Sequence, residues 1–157
     1  YITGDCHAHF EKLIWLARFN KELGKEDVII LLEDVGLNYF GADKDRGNKK
    51  ILADFPNYFL CIHGNHEERP YHIQTYRTQI WRGGEVYYEP EYPNILFAKD
   101  GEIYDVDGKK AIAIGGAYSQ DKEYRLITGL PWFPDEQLDD KVKSQVENKS
   151  ADRGMDG

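Results

Sequence analysis

Two short apolar runs constrain this chain more than any other feature. Val28–Leu32 and Tyr58–Ile62 are each five residues long, rich in branched or aromatic side chains, and show no polar alternation. Runs of that length are too short for a helix, and their continuity predicts strands buried on both faces, as in a parallel sheet. Parallel neighbours need a crossover between them. A polar stretch over residues 41–50 leads into a short helix predicted over 49–54, and Pro56-Asn57 marks the turn into the second run. Upstream, Tyr1-Ile2-Thr3 reads as a strand broken at Gly4-Asp5. Leu13, Ile14, Leu16, Ala17 and Phe19 then predict an amphipathic helix over 10–23, closed by Gly24. Strands and helices alternate, which is the signature of an α/β fold with right-handed crossovers.

Beyond residue 80 the texture changes. Short runs at 85–89, 95–98, 103–106 and 110–114 are separated by Asp100-Gly101, Asp107-Gly108 and similar punctuation. These dipeptides are hairpin signals, and they predict an antiparallel meander that continues or faces the first sheet. Leu138, Val142 and Val146 recur at four-residue spacing and predict a last helix begun near Pro134-Asp135. With no internal repeat, low-complexity tract or linker, the 157 residues read as a single domain, 1–157.

Charge and composition narrow the function classes. A net charge of −8, with no basic stripe, disfavours a nucleic-acid-binding module. Cys6 and Cys61 are the only cysteines, each on or beside an apolar run, and are expected as reduced core residues. No apolar run is long enough to cross a membrane and no signal-like segment opens the chain, so the default expectation is a cytoplasmic location.

Metal-competent side chains follow three of the predicted strands at once: Gly4-Asp5-Cys6-His7, then Glu33-Asp34-Val35-Gly36, then His63-Gly64-Asn65-His66-Glu67. In a parallel sheet all three turns lie at the carboxyl edge, where α/β folds place their ligands. Asp5 and His7 are spaced to offer one cation an oxygen and a nitrogen. Each piece alone is a common accident, since a lone Asp after a strand is often a helix cap.

In this order the pieces resemble the first three motifs of the calcineurin-like metallophosphoesterases. The stretch Ile114-Gly115-Gly116-Ala117-Tyr118-Ser119, with Asp121, Lys122 and Arg125, is similar to a bacterial and phage branch of that superfamily, as is the run from Trp132 to Gln137. Gly-Asn-His-Glu also resembles the protein-phosphatase and diadenosine-tetraphosphatase branch, without that branch's Asp-Arg-Gly. The resemblance implies an α/β/β/α sandwich and hydrolysis of phosphate esters by a water activated between two divalent ions, Mn, Fe, Zn or Ni. It further implies that Asp5 and His7 ligate a first metal, Asp34 bridges both, Asn65 ligates the second, and His66 protonates the leaving alcohol. The implied partner is a phosphorylated small molecule, a nucleotide or a phosphoprotein.

The sequence departs from the family in two ways. Glu33 and Ala8 stand where the family has glycine, and Glu33 is expected to point away from Asp34 and strain the site mildly, the alternative being that it supplies a ligand. The family also has two later histidine motifs, the last a Gly-His-x-His, whereas no histidine follows His72. The fold is therefore expected to be incomplete at its C-terminus, with one metal bound weakly, a second hardly at all, and little hydrolysis. Plainer roles are expected elsewhere. His9 and His72 read as surface residues, the Glu67-Glu68-Arg69 turn as solvated, and Trp81 and Trp132 as packing. His63 reads equally as a support for a metal ligand and as a packed core histidine. Asn38 and Tyr39 read as cleft lining or a turn, and Arg69 or Arg125 as a holder of phosphate.

Overall fold

The computed structural model describes residues 1–151. Strands β1 (Ile2–Gly4), β2 (Val28–Leu32), β3 (Tyr58–Ile62), β4 (Arg77–Trp81), β5 (Gly84–Glu89) and β6 (Tyr92–Ala98) form one six-stranded sheet in the order β1-β2-β3-β6-β5-β4. The first four in that order run parallel, with Ile2 opposite Ile30 and Ile30 opposite Leu60. The last two run antiparallel. Strands β7 (Ile103–Val106) and β8 (Lys109–Ile112) make a separate two-stranded hairpin. The expected meander therefore divides: β4–β6 continue the first sheet, and β7–β8 form a second one.

One face of the parallel strands is fully covered and the other only in part. Ile2, Leu32 and Tyr58 stay exposed and Ile30 and Ile62 are half-buried, so the expected burial on both faces holds only at the centre of the sheet. Ile29, Leu31, Phe59, Cys61, Ile95 and Phe97 face helices α1 (Glu11–Phe19) and α2 (Ala42–Ala53), meeting Phe10, Leu13 and Leu52. Val28, Leu60, Val86, Leu96 and Ala98 face the other way, onto Tyr104 of β7 and Ala113. Full burial of each such large side chain stabilises the fold by roughly 1.5–3 kcal/mol. The Tyr104 hydroxyl donates to the Glu85 carbonyl at 2.6 Å and accepts from the Lys99 amide at 2.9 Å, fixing the second sheet onto the first. Both cysteines are free and buried, as expected. No helix among the described residues is long and apolar enough to cross a membrane.

Several predicted boundaries move, for local reasons. Helix α1 stops at Phe19 rather than near residue 23, because the Asn20 side chain accepts the Glu22 amide at 3.0 Å and turns the chain. Helix α2 starts at Ala42, well before residue 49. Its polar first turn is held by the Asp45 carboxylate, which accepts the Phe40 and Gly41 amides at 2.9 and 3.0 Å. Lys49 of α2 is buried on an ion pair with Glu89 at 2.5 Å. Asp107-Gly108 closes β7–β8 with φ of 55° and 74°, as a type I′ turn requires. A second turn of this kind, at Arg82 (48°) and Gly83 (89°), closes β4–β5 and was not foreseen, because edge strand β4 has no buried face to betray it. Asp100-Gly101 is a turn but closes no hairpin, since β6 and β7 lie in different sheets. Helix α3 (Lys122–Thr128) was not predicted, and α4 (Asp140–Ala151) begins after Pro134-Asp135, with Val142 and Val146 against Gly101.

Candidate metal centre

The carboxyl ends of β1, β2 and β3 converge. Past β1, Asp5, His7 and Ala8 all take positive φ (53°, 44° and 63°), folding the chain back so that the His7 and Ala8 amides donate to the Asp34 and Val35 carbonyls at 2.7 and 2.9 Å. Past β2, Glu33 and Asp34 are also at positive φ, 58° and 23°. The turn after β3 closes over Asp34, whose Oδ1 accepts the His66 amide at 3.0 Å. Ligand atoms of Asp5, His7 and Asp34 consequently lie within 4.8 Å of one another. His7 Nε2 stands 2.7 Å from Asp5 Oδ1 and 4.0 Å from Asp34 Oδ2.

Backbone approach here is close enough to dictate composition. A Cβ on Gly64 would lie 2.0 Å from Asp34 Oδ1, and one on Gly36 would lie 2.5 Å from the Ala8 amide nitrogen. Behind the turns sits Glu67, 1% exposed. Its Oε1 accepts the Gly36 amide at 2.8 Å and the Leu37 amide at 3.4 Å, while Oε2 accepts the Gly64 amide at 3.3 Å. One carboxylate thereby ties the loop after β2 to the loop after β3. Burial pushes its acid strength down, raising its pKa; the three amides oppose that rise and the nearby Asp34 charge adds to it.

The segment from Gly116 to Glu136 forms the facing wall. Asn65 Nδ2 donates to Ser119 Oγ at 2.7 Å, which leaves the amide oxygen outside that bond. Ser119 is held in turn by Glu136, whose carboxylate accepts the Ser119 amide at 3.2 Å and the Trp132 indole N–H at 2.8 Å. His66 Nδ1 stands 3.1 Å from Asp34 Oδ2, and its Nε2, 3.7 Å from Asp121 Oδ1, is buried without a hydrogen-bond partner. Arg125 Nε donates to Asp121 Oδ2 at 2.8 Å, and that guanidinium holds the Asp121 carboxyl below its usual range. A cleft of about 300 Å³ is lined by His7, His9, Asp34, Tyr39, Phe40, His66 and Arg125.

The sequence expectations divide accordingly. Asp5, His7 and Asp34 come together, Asn65 and His66 follow in the turn that closes over Asp34, and Glu33 is exposed while Asp34 is buried. His9 and His72 are exposed, His72 Nε2 lying 3.0 Å from Asp135 Oδ2. The Glu67-Glu68-Arg69 turn is not a solvated charge cluster: Glu67 and Arg69 are both buried. Arg69 is not free for phosphate either. Its Nε and Nη2 donate to the Asp135 carbonyl at 3.0 and 2.8 Å, and its Nη1 reaches Asp100 Oδ2 at 2.9 Å and His63 Nδ1 at 2.6 Å. His63 is a packed histidine, its Nε2 on Asp100 Oδ2 at 2.7 Å. Asn38 is buried and accepts from the Tyr76 hydroxyl at 3.0 Å, so of the pair Asn38 and Tyr39 only Tyr39 lines the cleft. The roles of Ser119, Glu67 and Asp100 were missed. Nothing in the local sequence marked them, because each acts through partners 15 or more residues away, apart from the Gly64–Glu67 contact.

Two carboxylates, an imidazole and an amide oxygen suit a divalent cation of the Mn, Fe, Zn or Ni kind, so the residues present fit the metals expected of them. A family model described as calcineurin-like phosphoesterase matches residues 1–151. No match was found among curated proteins or among solved structures. The order of the strands, the three turns at their carboxyl edge and the family match agree, and the chain belongs to the calcineurin-like phosphoesterases.

Proposed function

We propose that this chain hydrolyses phosphate esters with the help of divalent metal, acting on a phosphorylated small molecule, a nucleotide or a phosphoprotein. The observation that carries this reading is the meeting of Asp5, His7 and Asp34 within 4.8 Å at the end of two parallel strands. Asp5, His7 and Asp34 would hold a first cation, and Asp34 with Asn65, two ligands only, would hold a second far more weakly. Such cations supply Lewis acidity and an acidified water. His66, beside Asp34 in the cleft wall, gives a proton to the leaving alcohol. Asp34 accepts the His66 amide and so holds that ring against the cleft. Tyr39 and Phe40 line one side of the cleft as an edge-on aromatic pair.

A second reading, a metal- or phosphate-binding remnant without turnover, is favoured by the short ligand list. Among the described residues one His/Cys/Asp/Glu group could hold a metal, and it offers three ligands. Hydrolysis of an aryl phosphate with added Mn²⁺ separates the two. Metal-dependent turnover that disappears in Asp34→Asn supports the hydrolase; metal binding without turnover supports the remnant.

A further inference from the structure

Of helix α1 only Leu13 is buried, and the outer side carries three large apolar side chains. Trp15 is 63% exposed, Phe19 58% and Ile14 39%. Trp15 and Phe19 stand one helical turn apart with ring centroids 5.5 Å from each other, so they form a ridge rather than scattered single residues. A lone exposed apolar residue is ordinary, whereas a contiguous patch marks a surface that binds something. At 3.6 residues per turn, Glu11, Trp15 and Arg18 share the crest of this ridge, with Ile14 and Phe19 on its two flanks.

The charges on that crest have a direction. Glu11 stands in the first turn and Arg18 in the last. Within the chain Glu11 meets only the exposed His9, at 3.9 Å, and Arg18 has no ion pair among the described residues. Glu11 precedes Trp15 by four residues and Arg18 follows it by three, about 6 and 4.5 Å along the axis. A second copy laid antiparallel across the first, Trp15 on Trp15, therefore brings each Glu11 to the other's Arg18. A parallel copy would set like charges against each other. The ridge is self-complementary about a two-fold axis, which is the condition for a symmetric contact. Residues 11–19 hold one acidic and two basic side chains, so the net charge of −8 is not concentrated where the copies meet.

We infer that α1 is the contact surface of a symmetric dimer, two copies packing antiparallel through Ile14, Trp15 and Phe19 with a Glu11–Arg18 pair at each end. Three apolar side chains per copy fall short of the roughly 800 Å² per partner of a stable complex. The dimer is therefore weak, with a micromolar-to-millimolar dissociation constant.

Sedimentation equilibrium of the full chain from about 5 µM to about 1 mM tests it. The wild-type chain is expected to pass from monomer to dimer across that range, and Trp15→Ala to weaken the association at least about tenfold. Glu11→Arg and Arg18→Glu should each weaken it by about 3- to 10-fold, by placing like charges together, and the double exchange should restore it. Both positions are exposed, so the charge variants carry the test if Trp15→Ala does not fold. A monomer throughout, a dimer indifferent to Trp15→Ala, or a double exchange no tighter than the single ones would each overturn the assignment.

Discussion

Replacing Glu33 by glycine removes a strain that the sequence hinted at and the backbone locates. Glu33 sits at φ 58°, a conformation in which an L-residue with a Cβ costs about 1–2 kcal/mol relative to the right-handed region. Glycine occupies it freely but loses more entropy on folding, about 0.5–1 kcal/mol. The difference leaves Glu33→Gly stabilising by about 0.5–1 kcal/mol. For a domain of this size each kcal/mol shifts Tm by roughly 2–4 °C, so a rise of about 1–4 °C is expected. Scanning calorimetry of the metal-free chain measures it, with Glu33→Ala as the control, since alanine removes the charge and keeps the Cβ. The reasoning fails if Glu33→Ala raises Tm as much as Glu33→Gly, which would make the gain electrostatic, or if Glu33→Gly gives no rise.

Other outcomes follow from the same geometry. Glu67→Gln should destabilise the chain by about 2–3 kcal/mol in urea denaturation, because the amide end meets backbone donors that a carboxylate had accepted; a loss under about 0.5 kcal/mol would remove Glu67 as the tie between the two loops. Burial holds the Cys61 thiol well above its ordinary pKa, and burial with the Asp5 charge raises that of Cys6. Both should therefore react slowly with a disulfide reagent in the native state even as pH is raised to about 9, and fast once unfolded. Ser119→Ala leaves the Asn65 amide nitrogen without its acceptor and should cost about 1 kcal/mol in urea denaturation, which Ser119→Thr should restore.

The parts of this protein that sequence exposes are those where a residue's environment is set by its neighbours in the chain. The strand read at Tyr1-Ile2-Thr3 and the run Val28–Leu32 lie parallel, and the turns after parallel strands share an edge, so Asp5, His7 and Asp34 are brought together by sequence logic alone. What stayed hidden depends on long-range pairing. Lys49 looks like a surface lysine until Glu89, forty residues away, neutralises it. Arg69 looks solvated until Asp100 and the Asp135 carbonyl surround it. Strand β4 is half of a hairpin whose turn begins with arginine, a residue that does not advertise positive φ. Glu33 and Ala8 are the middle case. Their departure from glycine was visible, and the positive φ that gives it a cost was not.

The most direct test of the account is Mn²⁺ titration of the purified chain by calorimetry, repeated on Asp34→Asn. The arrangement of Asp5, His7 and Asp34 predicts one equivalent bound to the wild-type chain and its loss in the variant. An absence of binding, or binding unchanged by Asp34→Asn, would contradict the metal centre. Two tightly held equivalents would contradict the ligand set assigned to it.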